Sequence, residues 1–144
     1  MDIYEEAVLH YIASNNKRFI NPQFNLDYDS KKDIGGSLPD FVVLDFEDKT
    51  IYIIEVTKAY DIKKLLSKVS ERKRRWIHPI RETIDSNFSE WDYHVTLFLR
   101  EDRIKYAKDK LKDDTDVSII SLKEINCFLG NSTFERKNSL KIDN

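Results

Sequence analysis

Two acids stand inside the apolar stretch PDFVVLDFEDKTIYIIEVTK, residues 39–58. Asp40 opens the first of two β-rich runs, DFVVLDF, and Glu55 lies near the end of the second, TIYIIEVT. The short polar turn Glu47-Asp48-Lys49 between them predicts a hairpin. Side chains alternate along a strand, so Ile51, Ile53, Glu55 and Thr57 share one face. The start of one hairpin strand lies beside the end of the next, which brings Asp40 and Glu55 close although they are fifteen positions apart. Two carboxylates held together repel, and one takes up a proton unless a cation screens them. Hard oxygen ligands of this kind select Mg²⁺ or Mn²⁺, with the carbonyl of Val56 as a further oxygen. Such an ion activates a water and clamps a phosphodiester oxygen.

The elements around the hairpin follow from periodicity. Ile3, Ala7, Val8, Tyr11 and Ile12 recur at helical spacing and predict a helix over 3–14. Residues 19–27 alternate as a strand despite Pro22, and DSKKDIGGS reads as a loop with Gly35 and Gly36 adjacent. A long helix is expected from Tyr60 to Ile77, with Ile62, Leu65, Leu66 and Val69 as its apolar stripe. Pro79 should break or kink it, with a shorter helix resuming through Ile84. YHVTLFLR is a strand, EDRIKYAKDKL a helix, DVSIIS a strand, and LKEINCFL a short helix ending at Gly130. The expected fold class is α/β: a mixed central sheet flanked by helices. Its order is an αβββαβ core followed by a C-terminal αβα extension. Residues 1–130 form a single domain, and 131–144 a polar, mobile tail.

Composition bounds the alternatives. The chain has 144 residues, 40% hydrophobic and 35% charged, with three Gly and three Pro, which suits one ordered domain with a real core. A net charge of −2 gives no global attraction to nucleic acid, so any basic surface must be local. Lone Cys127 excludes an internal disulfide and multi-cysteine zinc sites, and fits a cytoplasmic protein. Neither a signal peptide nor a membrane span is evident. No Ser-His-Asp or Cys-His spacing stands out, and Gly35-Gly36 lacks the lysine and helix of a phosphate loop.

The "PD", the hairpin and "IIEVT" running into a Lys-rich helix resemble the PD-(D/E)xK nuclease superfamily, over about residues 3–100. The resemblance implies a restriction-endonuclease-like core and metal-dependent phosphodiester cleavage, with Asp40 and Glu55 as metal-binding acids. It also implies a contribution from the first helix, where Glu5, Glu6 and His10 are the candidates and Glu5 is preferred. The family lysine belongs two residues after the acid, and that position is Thr57. Lys58 reaches the site only if the strand ends or bulges there. Lys68, at the edge of the next helix's apolar stripe, is the second candidate, similar to the migrated lysine of influenza-type cap-snatching endonucleases. Its ammonium would orient the attacking water or stabilise transition-state charge.

The region KKLLSKVSERKRRWIHPIR holds the one strong positive cluster. Lys64, Arg72, Arg74 and Arg75 would suit a phosphate backbone, with Trp76 stacking on a base; the plainer reading is a solvated helix face with Trp76 in the core. The expected partner is nucleic acid, DNA or RNA. Small nucleases often act as homodimers, although no interface signature stands out. Two further readings remain open: a nuclease-like module that binds without cutting, which Thr57 favours, and a protein adaptor whose basic helix meets an acidic partner.

Overall fold

The computed structural model describes residues 1–14, 17–22, 39–125 and 139–142. The strand continuation to Asp27, the Gly35–Gly36 loop, Cys127 and Gly130 lie outside the described residues.

A five-stranded mixed sheet runs in the order β1 (Arg18–Pro22), β2 (Phe41–Asp45), β3 (Thr50–Val56), β4 (Asp92–Leu99), β5 (Val117–Ser121). The first three strands are antiparallel neighbours, and β3–β4 and β4–β5 are parallel. Parallel neighbours need crossovers, and helices supply them on one face. The β3–β4 crossover is α2 (Lys63–Ser70), a π-helical turn (Lys73–Ile77) and α3 (His78–Thr83); α4 (Ile104–Lys110) joins β4 to β5. Helix α1 (Ile3–Ala13) covers the other face, and residues 122–125 are again helical. Among the described residues no helix is long and apolar enough to cross a membrane.

Two cores result, one on each side of the sheet. Val42, Ile51, Ile53, Val95 and Leu97 pack with Ile62, Val69, Trp76 and Ile80 of the crossover. Phe41, Val43, Tyr52, Ile54 and Phe98 pack with Val8, Tyr11 and Ile12 of α1. β3 is buried on both faces, which is why its sequence is nearly continuous in apolar residues.

The β2–β3 turn is pinned by Asp45. Its carboxylate accepts the amides of Glu47 and Asp48 at 3.0 and 3.2 Å and pairs with buried Arg18 at 2.9 Å. Lys49 closes the turn in the left-handed region, φ 53°. Asp45 therefore opposes Thr50, and the ladder ends with Phe41 opposite Ile54. The next pair along is Asp40 and Glu55.

The crossover departs from the expected helix over 60–77, while the expected shorter helix about Pro79 is present as α3. Residues 60–62 are not helical; Asp61 accepts the Lys63 amide at 3.1 Å, and α2 starts there. The helix does not stop at Pro79. The His78 amide bonds back to the Lys73 carbonyl, a π turn just upstream, and the missing Pro79 N–H falls in the first turn of α3, where it costs little.

Part of the expected mobile tail is docked. Leu140 is buried, its carbonyl accepts Thr96 Oγ1 at 2.6 Å, and the Ile142 amide donates to Ser118 Oγ at 2.9 Å. Buried hydroxyls on β4 and β5 need partners, and the tail backbone satisfies them. His94 Nε2 meets the same Ser118 hydroxyl at 2.8 Å, and burial pushes that imidazole down to about 4, so it is neutral at physiological pH.

Candidate functional site

The turn register places Asp40 and Glu55 together on the sheet face that carries α2. Asp40 is half-buried just before β2, and its Oδ2 accepts the Val56 amide across the hairpin at 2.7 Å. Glu55 is buried at 8% exposure, and its Oε1 has no hydrogen-bond partner among the described residues. Its side chain meets that of Asp40 at hydrogen-bonding range. Burial, then the charge of Asp40, push the Glu55 carboxyl well above its ordinary value. Burial likewise raises Asp40, partly opposed by the Val56 amide. Of the two, Glu55 is the more strongly pushed toward its neutral form.

Glu5 of α1 reaches the same place. It lies close enough to Asp40 to raise that carboxyl further. It also completes the helix cap: its carboxylate accepts the Asp2 amide at 2.9 Å, while Asp2 accepts the Glu5 amide at 2.8 Å. Glu6 is exposed, and so is His10, in the last turn of α1 about 7.5 Å further along the helix. Glu5 is therefore the helix-one candidate that approaches the two hairpin acids.

The lysines separate by face. Lys68 is half-buried on α2, and its charge stabilises ionised Glu55 against burial. Lys58 points to the α1 side, its ammonium 5.5 Å from the Tyr4 ring centre. Strand pairing runs on past β3: the Thr57 amide donates to the Phe98 carbonyl at 3.0 Å, and no bulge turns Lys58 toward the acids.

Asp40 and Glu55 thus form an acid pair, with one Glu55 oxygen unpartnered among the described residues and Glu5 nearby. Among the described residues, no group of three or more His, Cys, Asp and Glu is arranged to hold a metal ion as it stands.

The expected basic surface is largely spent on structure. Arg72 forks onto Asp116 at 2.8 and 2.7 Å, reaches Asp114 at 3.0 Å, and is 12% exposed. Arg74 and Arg75 both hold Glu71. Lys64 is exposed. Trp76 is completely buried, so it is a core residue and not a stacking platform. Arg100 follows β4 directly and Arg103 lies three residues further on; the signal for Arg100 in the sequence is a basic residue immediately after an apolar strand.

No family model matches the chain, and no curated protein or solved structure matches it.

Proposed function

We propose that this protein is a metal-dependent nuclease of the PD-(D/E)xK type, with a restriction-endonuclease-like core and Mg²⁺ or Mn²⁺ as cofactor. One observation carries the reading: Glu55 is buried against Asp40 with an oxygen unpartnered among the described residues, and the charges of Glu5 and Lys68 reach the pair. A fold does not retain adjacent buried acids for stability, because desolvating them costs more than their mutual hydrogen bond returns. Strain of this kind collects at functional sites.

Asp40, Glu55 and the Val56 carbonyl would hold the ion, with Glu5 as a further ligand. The ion would supply a water acidic enough to attack phosphorus and a counter-charge for the phosphodiester. Glu55 must release its proton on loading. The Val56 amide keeps Asp40 oriented while that happens. Lys68 is placed to lower the cost of ionising Glu55 and to offset negative charge developing at the phosphate. Lys58 is left to bind substrate on the other side of the strand.

Plasmid, single-stranded DNA and RNA incubated with Mn²⁺ test this directly. Cleavage by the parent protein is expected, with a loss of about a hundredfold or more in Asp40→Asn, which can keep the Val56 hydrogen bond. Equal cleavage by the two proteins would refute the site. The second reading is an inactive nuclease-like module that binds nucleic acid, favoured by Thr57 at the lysine position. It expects salt-sensitive binding without products and no calorimetric Mn²⁺ uptake that Glu55→Ala abolishes.

A further inference from the structure

The carboxyl ends of parallel strands are where open α/β sheets place their ligands. Here the ends of β3 and β4 carry alternating cations and tyrosines. Lys58 lies 5.5 Å from the ring centre of Tyr4, the neighbour of Glu5. Tyr60 is 60% exposed, and the Arg103 guanidinium sits 4.3 Å from its ring centre, with Arg100 at 5.7 Å. Arg103 is also 4.3 Å from the ring of Tyr106. A cavity of about 480 Å³ opens between Tyr4, Lys58, Arg100 and Leu122, with Glu101 and Asp102 on its wall beside the two cations.

Tyr4 and Tyr106 are half-buried against the two cores, but burial does not account for Tyr60. A large aromatic ring left in water on a loop gains nothing for the core. Arg103 is held between two rings with its Nε sealed from solvent and unpartnered among the described residues. Its remaining guanidinium donors, and those of Arg100 that the 2.8 Å pair with Asp102 does not take up, are the groups that would meet a phosphate. The exposed ring of Tyr60 beside such donors matches an unpaired base and its backbone.

We infer that the stripe Tyr4–Lys58–Tyr60–Arg100–Arg103 binds single-stranded nucleic acid and leads it to the acid pair. This rests on the nuclease reading for the destination of the strand but not for the binding itself. Glu55 is level with Leu97 in the register, and Arg100 follows three residues on, so the stripe begins about 10 Å from the acids along the sheet. Base faces in a duplex are already stacked on one another and offer nothing to Tyr60. The ligand is therefore a strand with free bases, its sugar left to the experiment.

The test is fluorescence anisotropy of labelled oligo(dT), oligo(U) and a duplex of equal length, in EDTA so that nothing is cut. The parent protein should bind a single strand more tightly than duplex, and oligo(dT) against oligo(U) assigns the sugar. Tyr60→Ala should weaken that binding about tenfold, within the range of one stacked base. Tyr60→Phe, which keeps the ring, should bind as the parent does. Arg103→Gln should weaken binding and flatten its salt dependence by about one phosphate contact. Unchanged affinity in Tyr60→Ala, or duplex bound as tightly as single strand, would overturn the proposal. Oligonucleotide binding that depends on Tyr60 without Mn²⁺ cleavage would sink the nuclease reading and leave the stripe standing. Cleavage that depends on Asp40 with no role for Tyr60 would do the reverse.

Discussion

Asp40 takes the Val56 amide at 2.7 Å across the mouth of the β2–β3 hairpin, and in doing so holds its carboxylate against Glu55. One hydrogen bond thus fixes both the register at the open end and the spacing of the two acids. Asp45 does the same at the closed end, through the turn amides and Arg18. A hairpin pinned at both ends cannot slip by one residue, and a slip would send every side chain of β3 to the other face.

Glu55 should cost stability near neutral pH in the absence of a divalent cation. Burial and the charge of Asp40 raise its folded value above the ordinary 4.5. The native state then holds more protons than the unfolded state between those two values. Stability therefore falls as pH rises through that window, and the contribution is fully present only below 4.5. Glu55→Gln keeps a donor toward Asp40 and removes the titration. It should be more stable than the parent by about 1 kcal/mol at neutral pH in EDTA, with the difference vanishing in acid. Mn²⁺ should raise the Tm of the parent and not of the variant. A variant less stable than the parent at every pH would show that Glu55 is a settled structural residue.

Lys68 and Lys58 should separate kinetically. Lys68 partly offsets the burial of Glu55, whereas Lys58 stacks on Tyr4 across the sheet. Lys68→Met should lower kcat about a hundredfold. It should also move the acidic limb of the pH–rate profile upward, because Glu55 then ionises less readily. Lys58→Met should act mainly on KM, as the loss of a group that binds substrate equally in ground and transition states. The opposite assignment would hold if Lys58→Met alone lowered kcat.

The acids were readable from the sequence because alternation and a short polar turn determine a hairpin register, and the face of Glu55 follows by counting. Helix α1 and the apolar stripe Ile62, Leu65, Leu66 and Val69 were readable for the same reason, from a period. The fate of the basic helix was not. Arg72 is taken up by Asp114 and Asp116, more than forty positions away, and nothing local announces that pairing. Pro79 was readable as the point where a shorter helix begins, but the π turn just upstream of it was not. The docking of Leu140 was hidden in a polar tail, since the attraction is to hydroxyls buried on distant strands.

Arg72 should prove to be a structural residue whose removal leaves nucleic-acid affinity in place. Its guanidinium joins the last turn of α2, through the Val69 carbonyl at 2.8 Å, to the two aspartates that lead into β5. The arginine is 12% exposed, but its partners are about one-third exposed, so water screens part of the interaction. Arg72→Ala should therefore cost about 2 kcal/mol, below the 3–5 kcal/mol of a fully buried pair left half-broken. Arg72→Lys should recover little, because a point charge cannot serve both carboxylates of the fork. Urea unfolding should shift its midpoint without changing its slope. The salt dependence of oligonucleotide binding should match the parent at a temperature where both are folded. An Arg72→Ala protein of unchanged stability that binds oligonucleotide with one fewer released counterion would instead make this arginine a phosphate ligand.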